Sequence, residues 1–511
     1  MRNKWFRSLL RSRFFIILLL LLQMAFIIYV VKSGSQTSAI ISSVMTFISF
    51  CASVYIISKK DKGAYKLTWV FMILLFPVFG GLFYIMFNFQ LTYKRYTKRA
   101  EKCERKARNL YNKTGTNYCE AVDKIPEYMP QVDYLQNYAG FPIYTNTQTK
   151  YLSPGEVKFE YLVEELKKAE KYIFLEYFIV QEGKMWNTIL EILKEKAKQG
   201  VLVRLIYDDM GCFFLLPKNY RKQLEKHGIE CVVFNPFRPF LSTVQNNRDH
   251  RKIAVIDGKV AFTGGINLAD EYINAYEKHG HWKDASVMLK GKAAWSFTLI
   301  FLQMWELCTG KNEDYAKYYP WQDEPCPIES DGFVQPYSDS PMDKDNVGEH
   351  VYLQIINNAK KYVYINTPYL IIDDSMVSAL CLAAKSGVDV RIVTPHKWDK
   401  WWVHMTTRSY YRELIKAGVK IYEYTKGFIH SKTFVSDDRV ATVGTTNLDF
   451  RSLYLHFECG VRMYDSRAVS EVKEDFLQTL EICHIIKLED CKASIPMRIF
   501  QDIMRIFAPL M

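Results

Sequence analysis

The chain has 511 residues, of which 49% are hydrophobic and 15% aromatic, and this composition excludes a disordered chain and suggests more than one structural unit. The formal net charge of +12 is unevenly distributed, because residues 1–108 contain 18 Lys and Arg but only three acids. The remaining chain is slightly acidic, which disfavours a nucleic-acid-binding protein. The eleven scattered cysteines form no CxxC pair, which argues against a disulfide framework or a zinc site and favours a reducing compartment.

Three apolar runs, at residues 14–31, 39–57 and 67–87, occupy the N-terminal part of the chain. The first is almost long enough to cross a bilayer, and because no small-residue cleavage site follows it, we expect a retained anchor. Basic residues precede the first run and follow the second. The positive-inside rule therefore predicts two crossings that begin and end in the cytoplasm.

The third run has basic sequence on both sides, so a single crossing would export the eight Lys and Arg of residues 94–108. Pro77, Gly80 and Gly81 lie within this run and permit a re-entrant hairpin, with a plain third span as the alternative. We therefore predict a multi-pass protein of the cell membrane whose soluble body lies on the cytoplasmic side.

From about residue 172 the chain repeats one pattern of strands and amphipathic helices. The strands of the first copy are predicted at 172–180, 201–209 and 229–235. Those of the second copy are predicted at 362–370, 388–395 and 419–425. A helix with apolar residues at i, i+3, i+4 and i+7 follows the first strand of each copy and ends at Gly200 or Gly387. Two βαβαβ units predict an α/β fold with parallel sheets covered by helices.

Each copy ends in the same spacing, H-x-K-x4-D. The first motif consists of His250, Lys252 and Asp257. The second consists of His430, Lys432 and Asp437. A glycine-containing turn and an asparagine, Asn267 or Asn447, follow each motif. One such motif arises easily by chance, but two motifs at equivalent places in a repeat indicate a shared site.

The spacing has a chemical meaning, because residues two apart on a strand point to the same face. Two such faces brought together form a pocket with two imidazoles and two ammonium groups. That pocket suits a phosphodiester, since histidine is a nucleophile and proton carrier and lysine neutralises phosphoryl oxygens. No metal ligand cluster accompanies the motifs, so we expect no metal and no other cofactor.

The duplicated motif resembles the signature of the phospholipase D superfamily, and the resemblance extends over nearly everything after about residue 135. The blocks NNRDHRK, GGINLAD, GFIHSKT and VGTTNLDFRS, with the segment YKLTWVFMILLFPVFGGLFYIMF, more narrowly resemble bacterial cardiolipin synthases. This resemblance implies phosphatidyl transfer between two phosphatidylglycerol molecules, which yields cardiolipin and glycerol through a phosphohistidine. A phospholipase D or phosphatidyltransferase that uses water or another alcohol is the alternative. The implied partners are phosphatidylglycerol and anionic membrane lipid, without nucleic acid, and the oligomeric state stays open.

The resemblance also implies roles for the motif residues. His250 is expected to be the nucleophile, and His430 the acid and then the base. Lys252 and Lys432 are expected to hold the phosphate oxygens, together with the two asparagines that follow the motifs. The aspartates that complete the motifs are expected to be chiefly structural partners.

The family also places an acid near the far nitrogen of each histidine to orient its ring. Asp284 follows the first histidine by 34 residues and Glu458 follows the second by 28, and both positions fit this role. His456 departs from the family pattern, which usually has asparagine there, and we expect it to pack rather than to tune the site.

Several other polar and aromatic groups have two interpretations. His279 and His281 resemble a metal pair but lack further ligands, so loop histidines are favoured. Asp208 and Asp209 are either cation ligands or loop caps. The sequence WDKWW at 398–402 is either a corner of the core or an interfacial anchor, and the anchor is favoured.

The C-terminal tail is amphipathic and is predicted either to lie on the membrane or to dock on the core. The predicted organisation has five parts: membrane anchor 1–90, basic linker 91–135, first half 136–330, second half 331–490 and amphipathic tail 491–511.

Overall fold

The computed structural model describes residues 25, 36–60, 62–76, 80–81, 84, 91–114, 117–237, 243–322, 325–343 and 345–510. These residues form two compact units. One contains the described parts of residues 1–96, 237–247 and 502–511, and the other contains residues 97–236 and 248–501. The first apolar run, apart from residue 25, lies outside the described residues, as does Pro77.

The N-terminal unit contains helices α1 (Gln36–Ser58) and α2 (Gly63–Leu75). Residues Ala39–Ser58 of α1 are long and apolar enough to cross a membrane, and this is the one such helix among the described residues. At 1.5 Å per residue, the 13 residues of α2 extend about 20 Å, which is short of the roughly 30 Å of a bilayer core. Helix α2 therefore does not form a complete crossing by itself.

The chain turns back on itself after α2. A Cβ atom on Gly80 would lie 2.7 Å from the Cα of Ile73, although these residues would be about 10 Å apart along a straight helix. The rings of Trp69 and Tyr84 also meet, with centroids 5.1 Å apart. Gly81 lies equally close to α1, because its Cβ would be 2.8 Å from the Cα of Ser49. Glycine at both positions permits these close backbone contacts.

The first half of the large unit is built on a seven-stranded sheet in the order β1-β8-β6-β5-β2-β3-β4. Its strands are β1 (Thr147–Leu152), β2 (Tyr172–Tyr177), β3 (Leu202–Asp208), β4 (Ile229–Phe234), β5 (Lys252–Ile256), β6 (Val260–Gly264) and β8 (Ser286–Gly291). The short strand β7 (His281–Lys283) lies outside this sheet and pairs with β14.

The second half repeats this sheet, in the order β9-β18-β16-β15-β10-β12-β13-β19. Its strands are β9 (Phe333–Asp339), β10 (Tyr362–Asn366), β12 (Asp389–Pro395), β13 (Lys420–Tyr424), β15 (Thr433–Ser436), β16 (Val440–Gly444), β18 (Glu458–Tyr464) and β19 (Cys483–Ile486). The short strands are β11 (Leu370–Ile371), β14 (Gly427–Ile429) and β17 (Leu448–Asp449). Apart from β19, each strand of the eight-stranded sheet has a counterpart in the first sheet, so the predicted duplication is visible strand by strand.

The parallel direction predicted for the strands of each βαβαβ unit is confirmed, but each sheet as a whole is mixed, because the strands that carry the motifs run antiparallel to their neighbours. Strands β2, β3 and β4 are parallel, as the βαβαβ pattern requires. Strand β5 instead pairs antiparallel with β2 and β6, and β15 pairs antiparallel with β10 and β16. The tight turn between β5 and β6 accounts for the antiparallel direction of these two strands, since a parallel crossover needs a long segment with a helix.

The helices follow the predicted apolar periodicity. Those of the large unit and its boundaries are α3 (Leu91–Thr114), α4 (Tyr118–Lys124), α5 (Met129–Asp133), α6 (Gly155–Lys167), α7 (Lys184–Lys198), α8 (Asp209–Cys212), α9 (Tyr220–Glu225), α10 (Ala294–Thr309), α11 (Val347–Asn358), α12 (Asp374–Lys385), α13 (Trp401–Lys416), α14 (Phe450–Tyr454), α15 (Arg467–Leu480) and α16 (Ile495–Phe507). Helix α7 buries Met185, Trp186, Ile189 and Leu193. Gly200 and Gly387 follow α7 and α12 with φ of 90° and 93°, a conformation in which glycine is unstrained.

The apolar helix α10 forms the centre of the large unit, and nearly every residue from Ala294 to Leu307 is buried. Phe301 stacks on Phe174 of β2 with ring centroids 4.6 Å apart. Residues 91–114, predicted as part of a linker, form helix α3, and Lys106 of this helix pairs with Glu306 of α10 at 2.8 Å. The basic segment is therefore partly bound to the protein itself.

Candidate active site

His250 lies just before β5, on a segment that pairs with the other half of the protein. Its backbone N–H donates to the carbonyl of Phe457 at 2.9 Å, and Phe457 N–H donates to the carbonyl of Arg248 at 2.8 Å. Phe457 immediately precedes Glu458, the first residue of β18. The backbone that carries the first histidine is thus held beside the acid of the second half.

His430 has the equivalent position in the second half. It follows β14, which runs parallel to β7, and its backbone N–H donates to the carbonyl of Lys283 at 2.7 Å. Lys283 immediately precedes Asp284. Each histidine segment therefore pairs with the acid-bearing segment of the other half. We call this reciprocal, pseudo-symmetric pairing the pseudo-twofold exchange.

This exchange decides which acid meets which histidine. His250 Nδ1 lies 2.9 Å from Glu458 Oε1, and His430 Nδ1 lies 2.7 Å from Asp284 Oδ2. Each histidine is therefore paired with the acid of the other half, although each acid follows the histidine of its own copy in the sequence. Because a carboxylate only accepts hydrogen bonds, the ring proton belongs on Nδ1, and Nε2 keeps a free lone pair.

The turn that follows each motif leaves space for the acid in the first half and donates a hydrogen bond to the acid in the second half. Asp284 Oδ1 accepts from the N–H of Ala285 at 2.7 Å, and a Cβ on Gly265 would lie 2.1 Å from this oxygen. Glycine at 265 thus leaves room for the carboxylate. At the equivalent place in the second half, the hydroxyl of Thr445 donates to Glu458 Oε2 at 2.5 Å. Thr445 was not predicted as a site residue, although threonine replaces the second glycine of GG at this position of the second copy.

Both motif lysines are buried beside the histidines. Lys252 Nζ donates to the carbonyl of His250, and Lys432 Nζ donates to the carbonyl of His430. Lys432 Nζ also lies 2.8 Å from His430 Nδ1. Burial lowers the pKa of Lys252 to about 8 and that of Lys432 to about 7. The nearby carboxylates oppose this shift by favouring the charged form.

The histidines are neutral at neutral pH. Burial, reinforced by Lys252, Lys432 and His430, lowers the pKa of His250 well below its ordinary value of 6.5. Burial and Lys432 lower the pKa of His430 to about 4, although Asp284 acts in the opposite direction. A neutral imidazole with its proton held on Nδ1 presents a nucleophilic Nε2.

The motif aspartates lie at the opposite end of the motif strands from the histidines. Asp257 and Asp437 occupy hairpin turns at φ of 51° and 54°. The carboxylate of Asp257 accepts the backbone N–H groups of residues 170–172, at 2.7–2.8 Å. That of Asp437 accepts those of residues 360–362, at 2.7–3.0 Å. Asp257 therefore holds the start of β2, and Asp437 holds the start of β10.

The two asparagines differ in their surroundings. Asn267 Oδ1 accepts from Ile179 N–H at 3.0 Å, and its Nδ2 donates to the hydroxyl of Tyr272 at 2.7 Å. Asn447 Oδ1 is buried and has no hydrogen-bond partner among the described residues. The role of both asparagines in substrate binding stays a prediction.

His456 packs beside His250, with ring centroids 5.6 Å apart, and its Nδ1 lies 3.7 Å from Glu458 Oε1. Burial lowers the pKa of His456 to about 3. His250, His456 and Glu458 are the one group of potential metal ligands found in the described part of the chain. A cation there would compete with the hydrogen bond between His250 and Glu458.

Aromatic rings enclose both histidines. Phe178 lies 5.0 Å from the ring of His250, while Trp282 and Tyr272 lie 5.2 Å and 5.7 Å from that of His430. These rings were not predicted from the sequence. They lower the local polarity and contribute to the low pKa values of the histidines. Of these three rings, Trp282 is the one that the sequence could have indicated, because it directly precedes Lys283-Asp284.

The structure also bears on the alternatives for Asp208 and His281. Asp208 caps helix α8 by accepting from Met210 and Gly211 N–H, and it pairs with Arg248 at 3.2 Å. This matches the loop-cap interpretation. His281 Nδ1 lies 2.9 Å from the hydroxyl of Tyr424, outside any group of metal ligands found among the described residues.

Comparison with known proteins identifies the family. The model of the family described as cardiolipin synthase, PLD-like domain, matches residues 162–305 and 352–480. The chain belongs to the cardiolipin synthase family of the phospholipase D superfamily. A second family model, described as phospholipase D-nuclease N-terminal, matches residues 47–87, which include the C-terminal half of α1 and all of α2.

Similar members of the family cover most of the chain. A cardiolipin synthase of a Geobacillus species is 36% identical over 93% of this chain and 93% of its own length. A cardiolipin synthase of Alkalihalophilus pseudofirmus is 37% identical over 86% of this chain and 88% of its own length. An uncharacterized protein of Streptococcus mutans is 44% identical over 90% of this chain and 99% of its own length.

Among solved structures, the phosphatidylserine synthase of Haemophilus influenzae has the same fold, with a TM-score of 0.54. It is 15% identical, and the alignment covers 73% of this chain and 96% of that chain. At this identity the likeness concerns the fold, which is the duplicated α/β architecture described above.

Proposed function

We propose that this enzyme is a cardiolipin synthase that transfers a phosphatidyl group from one phosphatidylglycerol to another. The observation that carries the proposal is the pair of neutral, buried histidines, each held through Nδ1 by a carboxylate of the other half, with a lysine beside each. This arrangement offers two equivalent Nε2 atoms and two ammonium groups, which suits an exchange of one phosphodiester for another.

In the first step, His250 Nε2 attacks phosphorus, and the bond between phosphorus and the glycerol oxygen breaks. His430 donates a proton to that oxygen, so glycerol leaves as a neutral alcohol. The pKa of His430, which is low in the empty site, rises when the anionic phosphate binds, because a nearby negative charge favours the protonated imidazole. Lys252 and Lys432 neutralise the charge on the phosphoryl oxygens.

In the second step, the terminal hydroxyl of a second phosphatidylglycerol attacks the phosphohistidine. His430 takes the hydroxyl proton, the N–P bond to His250 breaks, and cardiolipin is released. The two steps consume two phosphatidylglycerol molecules and release one cardiolipin and one glycerol, without an oxidant, a reductant or a metal ion. The roles of Asp284 and Glu458 are to orient the histidines.

The test is a product analysis with the purified full-length enzyme in vesicles of phosphatidylglycerol. We expect cardiolipin and glycerol in equal amounts, identified by mass spectrometry, and neither from the His250→Ala variant. Phosphatidic acid as the main product would indicate water as the acceptor. Phosphatidylserine or phosphatidylethanolamine formed on addition of serine or ethanolamine would indicate another transferase.

We also propose that the catalytic body faces the cytoplasm and that residues 67–87 enter and leave the membrane on one side. The short helix α2 and the contact of Gly80 with Ile73 support a hairpin, which keeps the basic residues that follow on the inner face. The predicted halves, 136–330 and 331–490, each contain one sheet and remain our proposed domain division.

A further inference from the structure

Two segments that are far apart in the sequence place large apolar side chains on one part of the surface. They are Trp398, Trp401 and Trp402, with exposed fractions of 52%, 41% and 49%, and Ile495 and Ile499, with exposed fractions of 75% and 54%. We call these five residues the tryptophan surface. The two segments are neighbours, because Trp401 contacts Phe500 with ring centroids 5.1 Å apart and Gln501 donates to the carbonyl of Met405.

Helix α16, which contributes the isoleucines, is unusual in having no buried residue between Ile495 and Phe507. At 100° per residue, Ile495 and Ile499 lie on one face, Met497 and Phe500 lie on the opposite side of the helix, and Arg498 lies about 80° from the isoleucines. The intermediate exposure of Met497 and Phe500 shows that they face the protein, while no described residue covers the isoleucine face. Because a helix this short gains most of its stability from packing, the isoleucine face requires an apolar environment.

The charges around this surface favour an anionic lipid surface. Lys397, Lys400 and Arg498 are exposed beside the apolar residues. The one carboxylate of the WDKWW segment, Asp399, is already bound by Lys400 at 2.7 Å and by the hydroxyl of Tyr369 at 2.6 Å. Tryptophan with flanking lysine and arginine is the composition of membrane-interface segments, in which rings lie at headgroup depth and cations meet lipid phosphates.

The tryptophan surface is connected to the candidate active site by a short series of contacts. Tyr369, which binds Asp399, lies 6.4 Å from the ring of Phe428, and Phe428 lies 6.1 Å from the ring of His430. Lys397 reaches the loop before β7, since a Cβ on Gly280 would lie 2.9 Å from its Nζ. That loop leads to Asp284. The surface therefore borders the second-motif side of the site.

We propose that the tryptophan surface lies in the headgroup region of a bilayer and delivers phosphatidylglycerol from the membrane to the His430 side of the site. This proposal rests on the proposed function for the identity of the lipid. A diacyl lipid cannot leave the bilayer at low cost, since each exposed CH₂ costs about 0.8 kcal/mol. A site that uses such a lipid therefore needs an apolar contact with the membrane at its rim.

The first experiment compares two forms of one substrate with the full-length enzyme. Long-chain phosphatidylglycerol in vesicles must be taken from a bilayer, whereas dihexanoyl phosphatidylglycerol is a soluble monomer. For Trp402→Glu and Ile499→Glu we expect about a tenfold loss of rate on vesicles, equivalent to about 1.4 kcal/mol. We expect the rate on the soluble substrate to stay within about twofold of wild type, because the reacting residues are untouched.

Leu382→Glu is the matched control, since Leu382 of α12 is 64% exposed and lies outside the tryptophan surface. We expect this variant to resemble wild type on both substrates. Equal losses on both substrates by Trp402→Glu or Ile499→Glu would overturn the proposal, as would full vesicle activity in both variants. If wild type makes cardiolipin from neither substrate, the proposed function fails instead.

The second experiment detects membrane contact without activity. Brominated lipids quench tryptophan fluorescence at short range, so we compare wild type with the variant Trp398→Phe, Trp401→Phe, Trp402→Phe in vesicles with and without brominated lipid. The tryptophan emission that wild type has and the triple variant lacks comes from Trp398, Trp401 and Trp402. We expect brominated lipid to quench this part of the emission. If that emission is unquenched, the surface is not in the membrane. A sedimentation shift from dimer to monomer on Ile499→Glu, without quenching, would assign the surface to a second copy of the chain.

Discussion

Asp284, from the first half of the enzyme, holds the ring of His430, from the second half, with 2.7 Å between Oδ2 and Nδ1. Glu458 and His250 make the reciprocal contact at 2.9 Å. Neither half therefore contains a complete site, because each histidine depends on the other half for its tautomer and orientation. The proposed phosphoryl transfer consequently requires both halves to be folded together.

The first prediction concerns the nucleophile. His250→Ala and His430→Ala should each lose nearly all synthesis from phosphatidylglycerol. With phosphatidyl-p-nitrophenol, whose leaving group needs no proton, His430→Ala should still release a burst of p-nitrophenol and accumulate a phosphatidyl adduct on His250, detected by mass spectrometry after rapid quench. His250→Ala should give no burst. A burst in His250→Ala and none in His430→Ala would reverse the assignment.

The second prediction tests the exchange of acids. Asp284→Asn and Glu458→Gln should each lower kcat by roughly 10²–10⁴, by analogy with the loss of the orienting aspartate in hydrolytic triads. On the activated donor, Glu458→Gln should slow the burst, because Glu458 orients the nucleophile, while Asp284→Asn should keep the burst and slow turnover.

The control for these variants is Asp373→Asn, a buried carboxylate that caps α12 through Met376 N–H. It should lower thermal stability, by about 1 kcal/mol, and leave kcat near wild type. A slow burst in Asp284→Asn with a normal burst in Glu458→Gln would mean that each acid serves the histidine of its own half.

The third prediction concerns metal ions. Because we propose that Lys252 and Lys432 supply positive charge at the phosphate, we expect activity to survive treatment with a chelator. Glycerol release from vesicles should be measured after dialysis against the chelator, with the metal content of the enzyme determined in parallel. An absolute requirement that one particular divalent cation restores would contradict this interpretation of the site.

The fourth prediction follows from the lowered lysine pKa values of about 7 and 8. A lysine with a lowered pKa is charged below that pKa and loses its charge as pH rises through it. The proposed acid His430 has a pKa of about 4 in the free enzyme, so kcat/KM, which reports the free enzyme, falls with rising pH above that value. We expect this fall to become steeper above about pH 7–8, where the lysines also lose their charge, whereas His250 stays neutral to well below pH 6.5. The alkaline limit of kcat should lie higher, because bound phosphate favours charged lysine.

Lys432→Arg provides the check, since guanidinium remains charged at all these pH values. Even if Lys432→Arg lowers the rate, the fall of kcat/KM at alkaline pH should begin at a higher pH than in wild type. A fall that begins at the same pH would show that another group causes it.

The fifth prediction concerns topology. Cys119 is exposed on the large unit and should resist a membrane-impermeant thiol reagent in intact spheroplasts until the cells are lysed. Ser33→Cys, between the first two apolar runs, should be labelled before lysis, and Cys119→Ser identifies the relevant signal. Labelling of Cys119 in intact spheroplasts would mean that residues 67–87 cross the membrane completely and that the body faces outward.

The sequence by itself determined the duplication, the strand and helix order of each copy, the motif residues and the family. These features are encoded locally: a helix with Trp186, Ile189 and Leu193 on one face must bury that face, and Gly200 or Gly387 ends a helix wherever it is placed. Motif spacing is local in the same sense, because residues two apart in an extended segment point to the same side in any fold.

Only the tertiary structure decided which groups meet. Asp284 and Glu458 follow the histidines of their own copies in the sequence, yet the pseudo-twofold exchange pairs each with the other copy's histidine. The antiparallel direction of β5 and the low pKa values of the buried histidines likewise depend on neighbours far away in the chain. Pairing across a domain interface, and the desolvation that accompanies it, arises from packing between segments, which no local pattern of residues encodes.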